Sequence, residues 1–169
     1  IPLLEFKFDE TNPEMGMIGI SLVNEPAIES DFQYFNNQKP KPFYFKVEGY
    51  ENCVQGLALI PNKPILRYDM ENNPYFGYFT VDTIKSLRAQ FQKNLMNNNI
   101  SADHNGVPVN GYLLESFIID SPERLADVKQ RGIEDATMGS WFVQYKIEDP
   151  ETFQRVIDGE LRGFSIEAF

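Results

Sequence analysis

The chain has 169 residues, and its 42% hydrophobic and 24% charged content is typical of one globular domain with a buried core. Its 15 basic and 25 acidic residues give a formal net charge of −10, which disfavours binding to nucleic acid or to an anionic membrane. The sequence shows no membrane span, no signal peptide, one Cys and one His, so we expect a soluble, non-exported protein without a disulfide, metal centre or cofactor.

The first 80 residues alternate short aromatic or apolar runs with clusters of Pro, Asn and Gly, a pattern that is typical of strands and turns. Strands are predicted at residues 3–8, 15–23, 42–47, 54–60 and 75–80, and a linker at 36–42. We therefore expect residues 1–45 to form an N-terminal arm, whose strand at 14–23 joins the main body, and residues 46–169 to form the main domain.

Two helices are predicted. The first covers residues 82–96, because four apolar residues recur at spacings of three or four and share one helical face: Ile84, Leu87, Phe91 and Leu95. The second follows Asp149, which can cap the free amides, has Pro150 at its first position and ends at Gly159.

Further strands are predicted at residues 100–104, 112–119 and 141–147. Alternation along the first places Ile100, Ala102 and His104 on one apolar face, and Asn105-Gly106 predicts a chain reversal after it. The whole pattern indicates an α+β fold in which an antiparallel sheet curls toward a β-barrel flanked by helices.

Three side chains could carry chemistry. Glu115 shares a strand face with apolar residues, so its carboxylate needs a partner; either it orients His104 from the adjoining strand or it reaches solvent at a sheet edge. His104 is either a hydrogen-bonded core residue or a general base. Ser165 lacks a Gly-x-Ser-x-Gly motif and becomes a nucleophile only if His104 lies close to it.

Several segments form an ordered set along the chain: IGISLVNEPAIE at 18–29, GLALIPNKPI at 56–65, RYD at 67–69, ADHNG at 102–106, GYLLES at 111–116, Trp141 with Tyr145-Lys146, and DGELRGFSIEAF at 158–169. In this order they resemble the XkdF-type phage serine proteases. The resemblance covers nearly the whole chain from about residue 16. It implies a fold like that of the prohead proteases of tailed phages and the herpesvirus assemblins, an antiparallel β-barrel wrapped by helices.

The resemblance also implies a serine endopeptidase that acts inside the phage procapsid in the host cytoplasm. Its protein substrates would be the scaffold, the N-terminal segment of the major capsid protein and the protease itself, and a homodimer is an open possibility. By position, Ser165 would be the nucleophile and His104 the general base. Assemblins use a second histidine that this chain lacks, so Glu115 is the expected third member, with Glu167 in reserve.

Two further expectations follow. The chain begins at Ile1 and stops four residues after Ser165, whereas relatives continue past the nucleophile, so we expect its ends to be truncated or processed. The alternative to a protease is a non-catalytic head-assembly or scaffold-binding domain that keeps the protease fold.

Overall fold

The computed structural model describes residues 1–9, 11–12, 17–35 and 51–168. The strands of this part are β1 Leu3–Glu5, β2 Met17–Val23, β3 Gln33–Phe35, β4 Cys53–Leu59, β5 Ile65–Tyr68, β6 Pro74–Tyr78, β7 Ile100–Ala102, β8 Gly111–Ile118, β9 Trp141–Ile147 and β10 Gly163–Ala168. The helices are α1 Val81–Lys93, α2 Pro122–Gln130 and α3 Pro150–Ile157, with a short 3₁₀ turn at Met96–Asn98. The strand predicted at 42–47 lies outside the described residues.

The strands form three small sheets, with the orders β1-β6-β5, β10-β2-β7 and β3-β4-β9-β8. The pairs β1–β6 and β2–β7 are parallel, and the other pairs are antiparallel. The predicted α+β class is confirmed. Of the predicted antiparallel β-barrel, no closed barrel is found among the described residues, and the likeness to the herpesvirus assemblins stays a prediction.

The barrel is not closed because β10 packs against β4 instead of pairing with it. The ring of Phe164 lies between the two strands, over Gly56, where a Cβ atom would come within 3.4 Å of that ring and 2.9 Å of Phe32 Cβ. The aromatic contacts continue from Phe164 to Tyr145, with ring centroids 5.8 Å apart. Side-chain packing therefore joins the two sheets where a barrel would need a hydrogen-bond ladder.

The four-stranded sheet contains the centre of the core. Its inner strands β4 and β9 are buried along their length, apart from the half-buried Lys146. Helix α1 covers one side of β9, where the rings of Phe91 and Trp141 meet edge to face at 5.3 Å between centroids. Of the apolar face predicted for α1, three residues are buried, but Leu95 lies past the helix end with a positive φ of 55° and is 81% exposed.

The caps and the apolar faces of the helices explain which helices could be predicted from the sequence. Asp149 caps α3 as predicted, since its carboxylate accepts hydrogen bonds from the Glu151 amide and the Thr152 hydroxyl. Helix α2 is an addition to the prediction: Ser121 caps it, but Val128 is its one fully buried residue, so the apolar periodicity is too weak to detect. No helix in the described part of the chain has the length and apolar character needed to cross a membrane.

Strand β2 belongs to the predicted arm, yet it is the central strand of its sheet, between β10 and β7. Its residues Ile20 and Leu22 are completely buried. This strand of the predicted arm is therefore part of a sheet with strands from residues 100–168, and that sheet is not a barrel. The predicted boundary at residue 45 falls outside the described residues.

Tyr145 gives a test of the core. Its hydroxyl is fully buried without a hydrogen-bond partner in the described structure, and burial raises its pKa. Replacing Tyr145 with Phe removes this unpaired group, so we expect the free energy of unfolding in urea to stay constant or rise by up to about 1 kcal/mol. Trp141→Phe is the control, because Trp141 Nε1 donates to Ser116 Oγ at 2.9 Å and the change should destabilise. A marked loss of stability in Tyr145→Phe would show that the hydroxyl is bonded.

Candidate active site

Ser165 belongs to a row of three serines that crosses the β10-β2-β7 sheet. Ser165 on β10 pairs with Ser21 on β2, and Ser21 pairs with Ser101 on β7. Paired residues point to the same face of a sheet, so the three hydroxyls lie on one side. All three residues are largely buried, with 9% of Ser165 exposed. The sequence analysis identified Ser165 but gave no signal for Ser21, because strand pairing joins residues that are far apart in the chain.

His104 is anchored to the middle of this row. Its backbone N–H donates to Ser21 Oγ at 2.9 Å. The strand predicted to reach His104 ends at Ala102, and the Asn105 amide donates to the Ala102 carbonyl at 3.2 Å across a tight turn. Asp103 and His104 occupy the centre of this turn with φ of 56° and 53°, as in a type I′ turn.

The turn corrects two expectations. His104 is exposed and does not share the apolar face of Ile100 and Ala102, because the left-handed backbone turns its side chain out of the strand alternation. The reversal predicted at Asn105-Gly106 begins earlier, at Asp103. A left-handed conformation costs a residue other than Gly about 1–2 kcal/mol, so other contacts must hold this turn.

Two further contacts hold the turn in place. The Asp103 amide donates to the Leu22 carbonyl at 2.9 Å, and the Asp103 carboxylate forms a 2.8 Å ion pair with Arg155 of α3. Arg155 also binds Glu160 at 2.9 Å, in the segment that leads from α3 into β10. Hydrogen bonds to Glu160 and Asp103 raise the pKa of Arg155, which keeps the side chain charged. Arg155 therefore links the turn that carries His104 to the segment that precedes Ser165.

Ser165 and His104 thus lie on the same side of one sheet. Ser165 is one strand spacing, about 4.8 Å, from Ser21, and Ser21 Oγ contacts the backbone of His104. No hydrogen bond joins the Ser165 and His104 side chains in the described structure. The arrangement brings the backbone of His104 to the strand next to Ser165, and a hydroxyl and an imidazole are the groups that nucleophilic catalysis by serine requires.

A cavity of about 260 Å³, here called the serine cavity, lies beside β10 and is lined by Ser165 with its neighbours Phe164 and Ile166. The rest of its lining is mostly apolar and includes Phe6, Phe8, Leu59, Ile65, Phe79 and Leu87. Lys7 and Arg67 are the charged residues of this lining, and both are exposed.

Glu115 has the partner that its position required, but this partner is Arg131. The two side chains form a bidentate ion pair with distances of 2.9 and 3.2 Å, and Gln144 Nε2 also donates to Glu115 at 2.9 Å. In the sheet, Glu115 pairs with Gln144, Gln144 with Gln55, and Gln55 with Gln33, so four polar residues cross it in one row.

Arg131 organises this row although it is only 5% exposed. Its five N–H groups donate to Glu115, Asp127 and Gln55 at 2.9–3.3 Å, which uses every donor of a guanidinium. The guanidinium also lies 4.8 Å over the Phe142 ring. Burial alone would lower its pKa, but the hydrogen bonds to Glu115 and Asp127 outweigh burial and raise it.

These contacts assign Glu115 to a buried network and not to His104. The orienting role predicted for Glu115 gains no support from its contacts and stays a prediction. The backbone of Glu167 pairs with Gly19, but its side chain lies outside the described part of the structure. In that part, no group of three or more His, Cys, Asp or Glu residues is arranged to hold a metal ion.

The Arg131 network predicts a large loss of stability when the arginine is removed. Arg131→Met leaves two carboxylates without their partner. We expect the free energy of unfolding, measured in urea, to fall by about 3 kcal/mol. The matched control is Arg162→Met, whose ion pair with Asp31 is 3.4 Å long with both side chains about half exposed. This control should lower the free energy of unfolding by less than about 1 kcal/mol. Equal losses in the two variants would contradict the structural role of the network.

The left-handed turn predicts that Gly is the more stable replacement at position 104 and that Ala is the more stable replacement at position 105. We expect His104→Gly to be more stable than His104→Ala by about 1 kcal/mol, because Gly adopts a positive φ without steric cost. At Asn105, where φ is not positive, Ala should be the more stable replacement. Thermal and urea unfolding of the four variants measure both orders, and a more stable Ala at position 104 would contradict the left-handed turn.

Of three comparisons with known proteins, one finds a match. Neither a curated protein nor a solved structure matches the chain. A family described as "Putative phage serine protease XkdF" matches residues 42–169, a range that includes His104, Glu115 and Ser165 but not Ser21. Because this match covers most of the chain, the protein belongs to the family described in these words.

Proposed function

We propose that this protein is a prohead protease, a serine endopeptidase that cleaves proteins of the immature phage head. Ser165 is the nucleophile and His104 the general base. The observation that carries the proposal is the chain of contacts from Ser165 through its strand partner Ser21 to the backbone of His104. The family description independently supplies the words phage and serine protease.

The proposed reaction follows the chemistry of acyl transfer to serine. As Ser165 Oγ attacks the carbonyl carbon of a peptide bond, the His104 imidazole takes the hydroxyl proton. The imidazolium then gives this proton to the leaving nitrogen, the C–N bond breaks, and an ester remains on Ser165. His104 next takes a proton from water as the water oxygen attacks the ester carbon. The bond between this carbon and Ser165 Oγ then breaks, the imidazolium returns the proton to Ser165 Oγ, and a carboxylic acid is released.

The base must be held in a productive orientation, a role that a third side chain has in a catalytic triad. The turn can perform much of this work, since Ser21, Leu22 and Arg155 hold its backbone and its Asp103 side chain. A backbone held in a sparsely populated conformation is common at functional sites. We therefore propose a Ser–His pair oriented by its turn, with Glu115 stabilising the fold through Arg131.

The proposed substrates are the scaffold, the N-terminal segment of the major capsid protein and the protease itself. Support for these substrates comes from the resemblance to prohead proteases and from the family's phage origin. The net charge of −10 is consistent with protein substrates and not with DNA.

One observation favours the alternative, a non-catalytic head-assembly domain. Ser165 is nearly buried and makes no hydrogen bond to the His104 side chain in the described structure. Catalytic hydrogen bonds are often long in free enzymes and tighten when substrate binds, so this geometry does not exclude catalysis. A cleavage assay separates the two functions.

The assay incubates the full-length protein with its capsid precursor and scaffold, and intact mass identifies the fragments. We expect Ser165→Ala and His104→Ala to lower the cleavage rate by at least about a thousandfold. Ser101→Ala is the matched control, because Ser101 belongs to the same buried row but has no proposed chemical role. It should cleave at a rate close to that of the unmodified protein.

Circular dichroism establishes that each variant is folded. Undiminished cleavage by folded Ser165→Ala protein would eliminate the protease assignment at this residue. Binding to the capsid precursor without any cleavage by the folded, unmodified protein would support the assembly domain instead.

A further inference from the structure

The serine cavity is pre-formed and chemically distinctive. We propose that it binds a large apolar side chain of the substrate, and that Lys7 and Arg67 bind a carboxylate on a neighbouring substrate residue. This inference rests on the proposed protease function and names the peptide class that the site takes. The preferred peptide contains Leu, Met or Phe next to Asp or Glu.

The size and lining of the cavity support an apolar occupant. Its volume is about 260 Å³, and its walls are built from aromatic and aliphatic side chains such as Phe79, Ile65 and Leu87. An apolar cavity of about 150 Å³ is large enough to hold benzene. The serine cavity therefore has room for the side chain of Phe, Leu or Met, and its lining offers few hydrogen bonds to a polar one.

The aromatic wall of the cavity is fixed by packing. The Phe6 amide donates to the Tyr78 carbonyl at 2.8 Å, which attaches this wall to β6. The Phe6 ring packs against Phe79 with centroids 4.7 Å apart, and it occupies the space over Gly77, where any Cβ atom would collide with it. A wall that is held in this way pre-organises the cavity for its ligand.

The two cations of the lining supply the acidic preference. Both Lys7 and Arg67 are exposed, and neither forms an ion pair within the described structure. Arg67 makes one long contact of 3.5 Å to the Leu66 carbonyl, whereas the other five described arginines bind a carboxylate or a backbone carbonyl at 3.4 Å or less. Two cations beside one cavity that form no ion pair within the described structure, in a chain with 25 acidic residues, are suited to an acidic ligand.

The cavity is also in the right place for a substrate. Ser165 lines it directly, and β10 is an edge strand, so a peptide that lies along this edge can contact both Ser165 and the cavity. The side chain in the cavity would then belong to a residue close to the bond that Ser165 attacks.

A binding experiment tests this inference separately from catalysis. The probe is a peptide library made by digesting a bacterial lysate, and it is passed over immobilised full-length Ser165→Ala protein. Mass spectrometry identifies the retained peptides. We expect peptides that combine Leu, Met or Phe with an adjacent Asp or Glu to be enriched about fivefold or more over the input.

Reversing the charges of Lys7 and Arg67 then tests whether these two residues bind the acidic side chain of the peptide. Adding Lys7→Glu and Arg67→Glu should shift the enrichment from acidic to basic neighbours. The control adds Lys85→Glu and Lys129→Glu, which change the net charge equally at exposed positions on α1 and α2, and it should keep the acidic preference. Ala27→Leu, which narrows the cavity from a half-buried position, should reduce the apolar preference alone.

The outcomes are distinct. The inference would be overturned if the retained peptides showed no enrichment of apolar and acidic residues. It would also be overturned if the preference for acidic neighbours shifted equally in the Lys7→Glu, Arg67→Glu variant and in its control. Either result would count against it even if Ser165-dependent cleavage is found. The predicted enrichment together with a lack of cleavage by the unmodified protein would keep the peptide site and refute the protease.

Discussion

The buried guanidinium of Arg131 is the constraint on which the four-stranded sheet depends. It follows α2 directly and binds Glu115 on β8 and Gln55 on β4, so one side chain fixes a helix to two strands of the sheet. A buried cation is stable only when its donors are all bound, and a small displacement of α2 would leave one of them unpaired. The network therefore selects one position of α2 among the many that apolar contacts would allow.

The rigid sheet in turn supports the candidate site. Tyr145 of β9 packs on Phe164 of β10, and this contact fixes the position of the neighbouring Ser165 relative to the core. The other half of the site comes from β7 and its turn, and β2 joins the two halves through Ser21. The candidate site thus combines three strands that are distant in sequence with the turn at Asp103-His104.

The sequence predicted most of the local structure, but not the contacts that surround the two candidate residues Ser165 and His104. Helix α3 was found because its cap and stop residues act locally, whereas α2 was missed because it buries little apolar surface of its own. The need of Glu115 for a partner followed from alternation, but Arg131 could not be identified as a partner because it lies on a different element. Alternation also failed at His104, since a positive φ at two successive residues has no signal in hydrophobic patterning.

The left-handed turn has an evolutionary consequence. At position 104 the backbone conformation alone favours Gly, because a φ of 53° is strained for a residue with a Cβ atom and is not strained for Gly. The backbone conformation therefore does not by itself select a histidine at this position. On the proposed function, relatives without hydrolytic activity should carry Gly or Asn here more often than active relatives, while both groups keep Arg131, so the residue in this turn would separate the two groups.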